Sequence, residues 1–328
     1  RIESLKEAAL KEYLATDAAR RAAALSLVAQ LAEQYLALCE LDERLAIAGA
    51  TVASRSESLR IFTRRYEVGS ISRLDLTQVE TLLRQAQVLQ AQLEQSRSAQ
   101  LHALALLLGT TPLMPQTLHL DDDAVQRELR AGLPSALLLR RPDILAAEHR
   151  LRAANADIGA ARAAFFPSLS LTGAYGTAST ELDGLFESGG LAWSFSPQLS
   201  LPIFDRGRRR AALEVAELRR DEAVASYERA IQTAFREVSD ALSAQRWLQQ
   251  QTRFLQEALD VQSERARLAQ LRYDAGAAPY LEVLDAQREL LAAEQQLVQA
   301  RRAALSARVQ LYAALGGGTQ DAAVAATE

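Results

Sequence analysis

The sequence has few of the residues that build disulfide frameworks, metal sites and catalytic centres. One cysteine, Cys39, in 328 residues excludes an intramolecular disulfide framework and a thiolate metal cluster. No Ser-His-Asp arrangement and no phosphate-binding glycine loop stands out. The three histidines are scattered without the spacing of metal ligands; they are His102, His119 and His149. We therefore expect no catalytic residue, no metal site and no cofactor, and we do not predict an enzyme.

Long apolar runs and an excess of one charge are also lacking. Because no run of about 18 apolar residues is present, the sequence predicts no transmembrane helix. The net charge of −4 is small, and basic residues are interspersed with acidic ones, which argues against a nucleic-acid partner. With 8 prolines, 5% aromatic residues and a predominance of Ala, Leu, Gln, Glu and Arg, the composition favours long helices.

Helical periodicity dominates the chain. Apolar residues recur every three or four positions, and glycine or proline marks the breaks. The stretch from about 206 to 275 contains no proline, which predicts a continuous helix of roughly 105 Å at about 1.5 Å per residue. The predicted helices cover residues 3–64, 74–108, a segment that begins at Pro142, 206–275 and 279–315.

Two short segments change to a period of two. In "FPSLSLTGAYG" and "WSFSPQLSLPI" apolar side chains alternate with small polar ones. This pattern predicts two strands of roughly 11 residues, joined by a glycine-rich loop at 177–190. The apolar side chains that we expect on one side of these strands are Leu169, Leu171, Tyr175, Trp193, Phe195, Leu199 and Leu201.

The predicted strands fit either a membrane or a soluble setting. Each is long enough to cross a bilayer as a tilted strand, and aromatic residues lie towards several of the ends. An open hairpin in lipid leaves unpaired backbone groups, so a membrane hairpin would have to share a closed barrel with other copies of the chain. A soluble hairpin covered by another part of the protein is the alternative.

A short motif occurs twice. "RYEVGSISRLDL" at 65–76 returns as "RYDAGAAPYLEV" at 272–283, a spacing of 207 residues (272 − 65). Further apolar and glycine positions coincide at the same spacing, which predicts two helical hairpins of equal length, each with a glycine turn. A β-hairpin precedes the second copy. We therefore expect the first copy to have had an upstream helix and hairpin that are missing from this sequence.

Three segments resemble the TolC-like outer-membrane factors. They are "LLLRRPDILAAEHRLRAANADIGAARAAFFPSLSLTGAYG" (137–176), "LPIFDRGRRRAALEVAE" (201–217) and "RYDAGAAPYLEVLDAQRELLAAEQQLVQARRAALSARVQLYAALGGG" (272–318). The most similar group is the outer-membrane channels of multidrug efflux pumps driven by resistance–nodulation–division transporters. The resemblance implies a mainly α chain with a transmembrane β-hairpin, two structural repeats, and a homotrimer. The trimer would build a long α-helical barrel in the periplasm and a shared β-barrel in the outer membrane.

The resemblance also implies divisions and partners. The expected partners are a periplasmic adaptor (membrane fusion) protein, an inner-membrane resistance–nodulation–division transporter and outer-membrane lipid. The expected divisions are 1–109, a first-repeat helical hairpin; 110–139, an equatorial connector; 140–164, a helix leading to the barrel; 165–204, the outer-membrane β-hairpin; 205–316, the second-repeat helical hairpin; and 317–328, a loose C-terminal tail.

The repeated glycine turns would form the periplasmic tip of this channel. By resemblance, Gly69, Gly276 and Tyr66 belong to the hairpin tips that contact the adaptor. The residues expected at the constriction are Asp75, Tyr273, Leu281, Glu282 and Asp285. Some family members have a basic residue five positions after the tyrosine; Ala278 stands there in this chain, and Arg73 is a possible substitute. A trimer would turn each inward carboxylate into a ring of three charges that favours cations.

A basic run follows the second strand. "RGRRR" at 206–210 places four arginines at the start of a helix, where the helix dipole disfavours positive charge. Phospholipid head groups would offset this cost if the run lies just below a membrane. A solvated basic collar is the alternative.

The function that this sequence predicts is a passive exit duct for small molecules, gated at the tip of a trimeric tunnel. A duct for type I protein secretion and a soluble coiled-coil scaffold or adaptor are the alternatives.

Overall fold

The chain is mainly helical and carries one β-hairpin. The computed structural model describes residues 1–110, 120, 141–178 and 191–317. Within these residues, the elements in chain order are helices α1 (Ile2–Glu67), α2 (Arg73–Leu108) and α3 (Pro142–Ala163), strands β1 (Ser168–Thr177) and β2 (Leu191–Ser200), and helices α4 (Arg208–Asp274) and α5 (Tyr280–Ala314). The predicted mainly α chain with a β-hairpin is confirmed, and the helical barrel and the shared β-barrel stay predictions. Most of the predicted connector, the glycine-rich loop, the C-terminal tail and His119 lie outside the described residues.

Local signals set the helix ends as expected. α2 stops at Gly109, whose φ of 64° is a left-handed conformation that glycine adopts without steric cost. The N–H of Gly109 donates to the Leu106 carbonyl at 3.3 Å. α3 starts at Pro142, where the missing N–H would have had no partner within the helix, and Asp143 follows in the first turn.

The contacts within the chain divide it into two compact units. One contains Arg1–Arg21 and Pro142–Gln232, and the other contains Ala22–Arg141 and Thr233–Glu328. The boundary passes through α1 and α4, so these units do not follow the sequential divisions expected from the sequence. Those divisions stay predictions.

The second unit combines an apolar core with partly buried ion pairs. Leu36, Cys39, Val298 and Leu305 pack together between α1 and α5. Beside them, Glu40 of α1 accepts hydrogen bonds from Arg44 and from Arg302 of α5, both at 2.9 Å. On another side of α1, Arg97 of α2 pairs with Asp42. Since buried charges require partners, these contacts hold α1 against both neighbouring helices.

The β-hairpin presents one apolar and one small polar face. In the antiparallel register, Leu169 lies opposite Leu199 and Tyr175 lies opposite Trp193. Ser168↔Ser200, Ser170↔Gln198 and Thr172↔Ser196 pair on the other face. Directly opposed residues share a face, so the two alternating patterns combine into one apolar surface. Every residue of both strands is exposed in the single chain, so this surface calls for lipid or another protein.

One predicted strand residue lies outside the ladder. The sequence pattern placed Leu201 in the second strand, but β2 ends at Ser200. Pro202 follows, and proline has no N–H with which to continue a ladder. Leu201 is therefore exposed just beyond the strand, and its place in the membrane segment stays a prediction.

Among the helices that the structure describes, one meets the length and composition of a membrane span. An 18-residue window in α1 has a mean hydropathy of 1.3, although only 11% of that window is buried. The sequence interpretation had predicted no such helix. Helices of soluble proteins also meet this criterion, and α1 is paired with α2 and α5 through charged side chains. We therefore assign α1 to the helical assembly.

Candidate functional site at the helical tips

The first hairpin turn is a hydrogen-bonded helix stop. Gly69 has a φ of 73°, and its N–H donates to the carbonyl of Tyr66 at 2.9 Å. The N–H of Ser70 donates to the carbonyl of Arg65, also at 2.9 Å. This pair of bonds is the Schellman motif, in which a residue at positive φ lets two orphan carbonyls of the last turn find donors.

The second hairpin turn repeats this arrangement. Gly276 has a φ of 69°; its N–H donates to the Tyr273 carbonyl at 2.9 Å, and the N–H of Ala277 donates to the Arg272 carbonyl at 2.8 Å. The repeated Arg-Tyr-x-x-Gly motif therefore encodes a backbone structure. The arginine and tyrosine side chains stay available for other contacts.

The turn glycines should be sensitive to the addition of a methyl group. No atom lies within 4 Å of a Cβ built on Gly276, so the cost of Gly276→Ala is the left-handed backbone alone, about 1–2 kcal/mol. Gly49 inside α1 has equal space but helical geometry, so Gly49→Ala should stabilise by roughly 0.5–1 kcal/mol. The midpoint of thermal unfolding, followed by circular dichroism, should therefore fall for Gly276→Ala and rise for Gly49→Ala. A higher midpoint for Gly276→Ala would contradict the assigned turn.

The two hairpins differ in how the next helix begins. In the first, the Ser72 hydroxyl accepts from the Asp75 N–H at 3.1 Å, and the Asp75 carboxylate accepts from the Ser72 N–H at 3.0 Å. In this capping box the Asp75 carboxylate is bonded to the start of its own helix. In the second, Pro279 stands at the cap position without a side-chain bond, so the aligned Glu282 is available elsewhere.

A cluster of aromatic residues joins the two hairpins. Arg65 of α1 donates to the Tyr273 hydroxyl of α4 at 2.5 Å, and its guanidinium lies 5.6 Å from the centre of the Phe62 ring. Tyr280 of α5 packs between Tyr273, at 4.8 Å between ring centres, and Phe62, at 4.2 Å. We call this group the tip cluster; its members are Phe62, Arg65, Leu76, Tyr273, Tyr280 and Leu284.

Tyr273 thus contacts both α1 of the first hairpin and α5 of its own hairpin. The partners Phe62, Arg65 and Tyr280 were not singled out from the sequence. Burial raises the pKa of the Tyr280 phenol. Tyr280 therefore stays protonated and uncharged inside the cluster at neutral pH.

The two acidic residues of the second hairpin are both paired with arginine. Arg272 lies 2.8 Å from Glu282. Arg265 and Arg288 lie 2.7 Å and 2.6 Å from Asp285. The expected rings of three carboxylates would therefore carry paired rather than bare charges. Sequence reasoning missed these arginines because two of them lie on α4, ten and twenty residues from their partners.

Of the two remaining predicted constriction residues, Leu281 lies beside these pairs and Arg73 lies apart from them. Leu281 is exposed and lines an open groove of about 1160 Å³ between α4 and α5, together with Glu282 and Asp285. Arg73 lies over the Tyr66 ring at 5.7 Å, within the first hairpin. Its side chain makes no hydrogen bond or ion pair with the described part of α4 or α5, so the structure does not bring Arg73 to the second hairpin.

Outer-membrane channel proteins combine two features that this chain has. They have paired helical hairpins with a common tip, and they carry a β-hairpin with one apolar face. Residues 1–110 and 133–317 match the model of the family described as "Outer membrane efflux protein". The chain belongs to this family, which confirms the resemblance drawn from the sequence.

Named relatives support the same assignment. The probable efflux pump outer membrane protein SepC of Pseudomonas putida is 47% identical over 320 residues, which is 97% of this chain and 66% of SepC. Outer membrane protein OprJ of Pseudomonas aeruginosa is 44% identical over 331 residues, covering 97% and 67%. The open state of the MtrE outer membrane channel of Neisseria gonorrhoeae matches with a TM-score of 0.88 at 39% identity, covering 97% of this chain and 72% of MtrE. The chain spans about two thirds of the length of the curated relatives.

Proposed function

We propose that the full-length protein is a passive exit channel of the bacterial outer membrane, with a long periplasmic extension. Three copies would share one β-barrel and one helical tunnel. An inner-membrane resistance–nodulation–division transporter would supply the energy, and a periplasmic adaptor would bind the hairpin tips. The observation that carries this proposal is the β-hairpin with a wholly exposed apolar face, which is stable in lipid only inside a closed barrel.

Small molecules are the cargo that the comparisons favour. SepC is named a probable efflux pump component. A type I protein secretion duct and a soluble scaffold are the alternative functions that the experiment below separates.

The tip cluster and the adjoining ion pairs form the gate in this proposal. Tyr273 and Arg65 hold the second hairpin against the first, so the contact between them must be released for the hairpins to move apart. Glu282 and Asp285, with their arginines, and the exposed Leu281 would line the constriction. Asp75 would act by fixing the start of α2. Gly69, Gly276 and Tyr66 would contribute to the surface that the adaptor contacts.

Deletion of the gene tests the cargo. The deletion strain should accumulate a fluorescent efflux substrate such as ethidium several-fold above the parent strain, and the wild-type gene should restore the low level. Unchanged dye accumulation together with loss of a secreted protein from the medium would favour the secretion duct. If both stay normal and the protein is soluble, the scaffold reading is favoured.

A further inference from the structure

The junction between β2 and α4 contains one arginine with a structural role. Arg209 donates to the Asp205 carboxylate at 2.7 Å and to the Pro202 carbonyl at 2.5 Å. It also reaches the carbonyl of Ala164 at 3.4 Å, and its guanidinium lies 5.5 Å from the centre of the Phe165 ring. The hydrogen bond from Arg209 holds the pKa of Asp205 below its usual range. Arg209 therefore connects the end of α3, the exit of β2 and the start of α4.

Three further arginines at this junction have no such role. Arg206, Arg208 and Arg210 are exposed, and their side chains make no hydrogen bond or ion pair with the described residues. The Asp205 carboxylate already accepts from the N–H groups of Gly207 and Arg209, both at 3.1 Å, so the helix start is capped without them. Three like charges within five residues repel one another, and a bound anion would reduce this repulsion.

Large apolar side chains are exposed beside these arginines. Phe204 is 95% exposed, Ile203 75% and Phe166 70%. Phe166 lies just before β1, and Ile203 and Phe204 lie just after β2, at the end of the hairpin where the apolar face begins. Aromatic side chains next to basic ones are typical of the head-group region, where the ring enters the apolar layer and the guanidinium stays at the phosphates.

We infer that this junction surface binds the head groups of anionic phospholipid in the periplasmic leaflet of the outer membrane. The junction surface consists of Arg206, Arg208, Arg210, Phe166, Ile203 and Phe204. The inference rests on the proposed function, because it places the strands in the membrane and α3 and α4 on the periplasmic side. The three guanidinium groups supply charge complementarity, and continuity with the apolar strand face supplies the lipid contact.

The test uses the full-length protein in mixed micelles. Added phosphatidylglycerol should raise the thermal unfolding midpoint by several degrees, whereas the same amount of zwitterionic phosphatidylethanolamine should not, since binding to the folded state alone stabilises it. A variant with Arg206→Gln, Arg208→Gln and Arg210→Gln should bind phosphatidylglycerol on the order of one hundred-fold more weakly.

A matched control replaces three exposed arginines further along α4, Arg219→Gln, Arg229→Gln and Arg236→Gln, and should keep the full shift. Inorganic phosphate should give no shift; an equal shift with phosphate alone would overturn the lipid assignment in favour of a simple anion site. Equal responses to the two lipids, or an unchanged response in the junction variant, would also overturn it. A wild-type protein that is not membrane-inserted at all would contradict the proposed function itself.

Discussion

Leu171→Arg is expected to abolish insertion of the full-length protein into the outer membrane. Leu171 lies in the middle of β1, opposite Pro197 on the apolar face, and is 63% exposed. An arginine on the lipid face near the bilayer midplane costs about 2–4 kcal/mol. Because the proposed trimer contains three copies of this strand, the cost is incurred three times in one barrel.

Ser170→Arg is the matched control for this variant. Ser170 is the preceding residue and lies opposite Gln198 on the small polar face. The same side chain added there should point into the barrel, and the protein should still reach the outer membrane. The measurement is the amount of protein in the outer-membrane fraction. Normal insertion of Leu171→Arg, or equal loss of both variants, would contradict the assignment of the two faces.

Tyr273→Ala is expected to open the channel. The change removes the hydrogen bond with Arg65 and the ring contact with Tyr280. A hydrogen bond to a charged group and an aromatic contact together contribute about 2 kcal/mol or more, which is roughly a 30-fold change in the ratio of closed to open states. Single-channel recording in planar bilayers should therefore show a several-fold higher mean conductance.

Tyr66→Ala is the control that the repeat provides. Tyr66 occupies the aligned position of the first hairpin, but its ring contacts Arg73 within its own hairpin. Its loss should leave the conductance unchanged. Asp75→Ala should remove the half of the capping box that the Asp75 carboxylate supplies and keep the Ser72 cap. Its effect should therefore stay within the first hairpin, whereas Tyr273→Ala removes a contact between hairpins. Equal conductance in wild type and Tyr273→Ala would contradict a gate at the tip cluster.

The two hairpin tips of one chain differ in their side-chain contacts. In the second hairpin, Tyr280 enters the tip cluster, and Asp285 pairs with Arg265 and Arg288. At the position aligned with Tyr280, the first hairpin has Arg73, which stacks on Tyr66. At these aligned positions, Arg73 of the first hairpin contacts only its own hairpin, whereas Tyr280 of the second contacts Phe62 of α1. We expect the two hairpins to move by different amounts.

Much of the local structure could be predicted from the sequence because local signals determine it. Alternation in the two strands predicted an apolar row on each, and the register places Leu169 and Leu199 on one face. Gly69 and Gly276 marked the turns because positive φ favours glycine. The capping box of Asp75 was readable as Ser72-x-x-Asp75, although the sequence interpretation did not use it.

The contacts within the site depend on pairs that lie far apart in the chain. Arg65 and Tyr273 are separated by 208 residues, and no periodicity relates them. Which arginines of α4 pair with Glu282 and Asp285 depends on the rotation of α4 about its axis relative to α5. The sequence pattern does not determine this rotation. The carboxylates were therefore expected as bare charges, whereas the structure places each beside a guanidinium.

The physical state of the full-length wild-type protein tests the proposed channel most directly. The account predicts that the protein is in the outer-membrane fraction, is released only by detergent, and has the mass of three chains in light scattering after correction for bound detergent. A water-soluble monomer that keeps its strand content in circular dichroism would contradict the account.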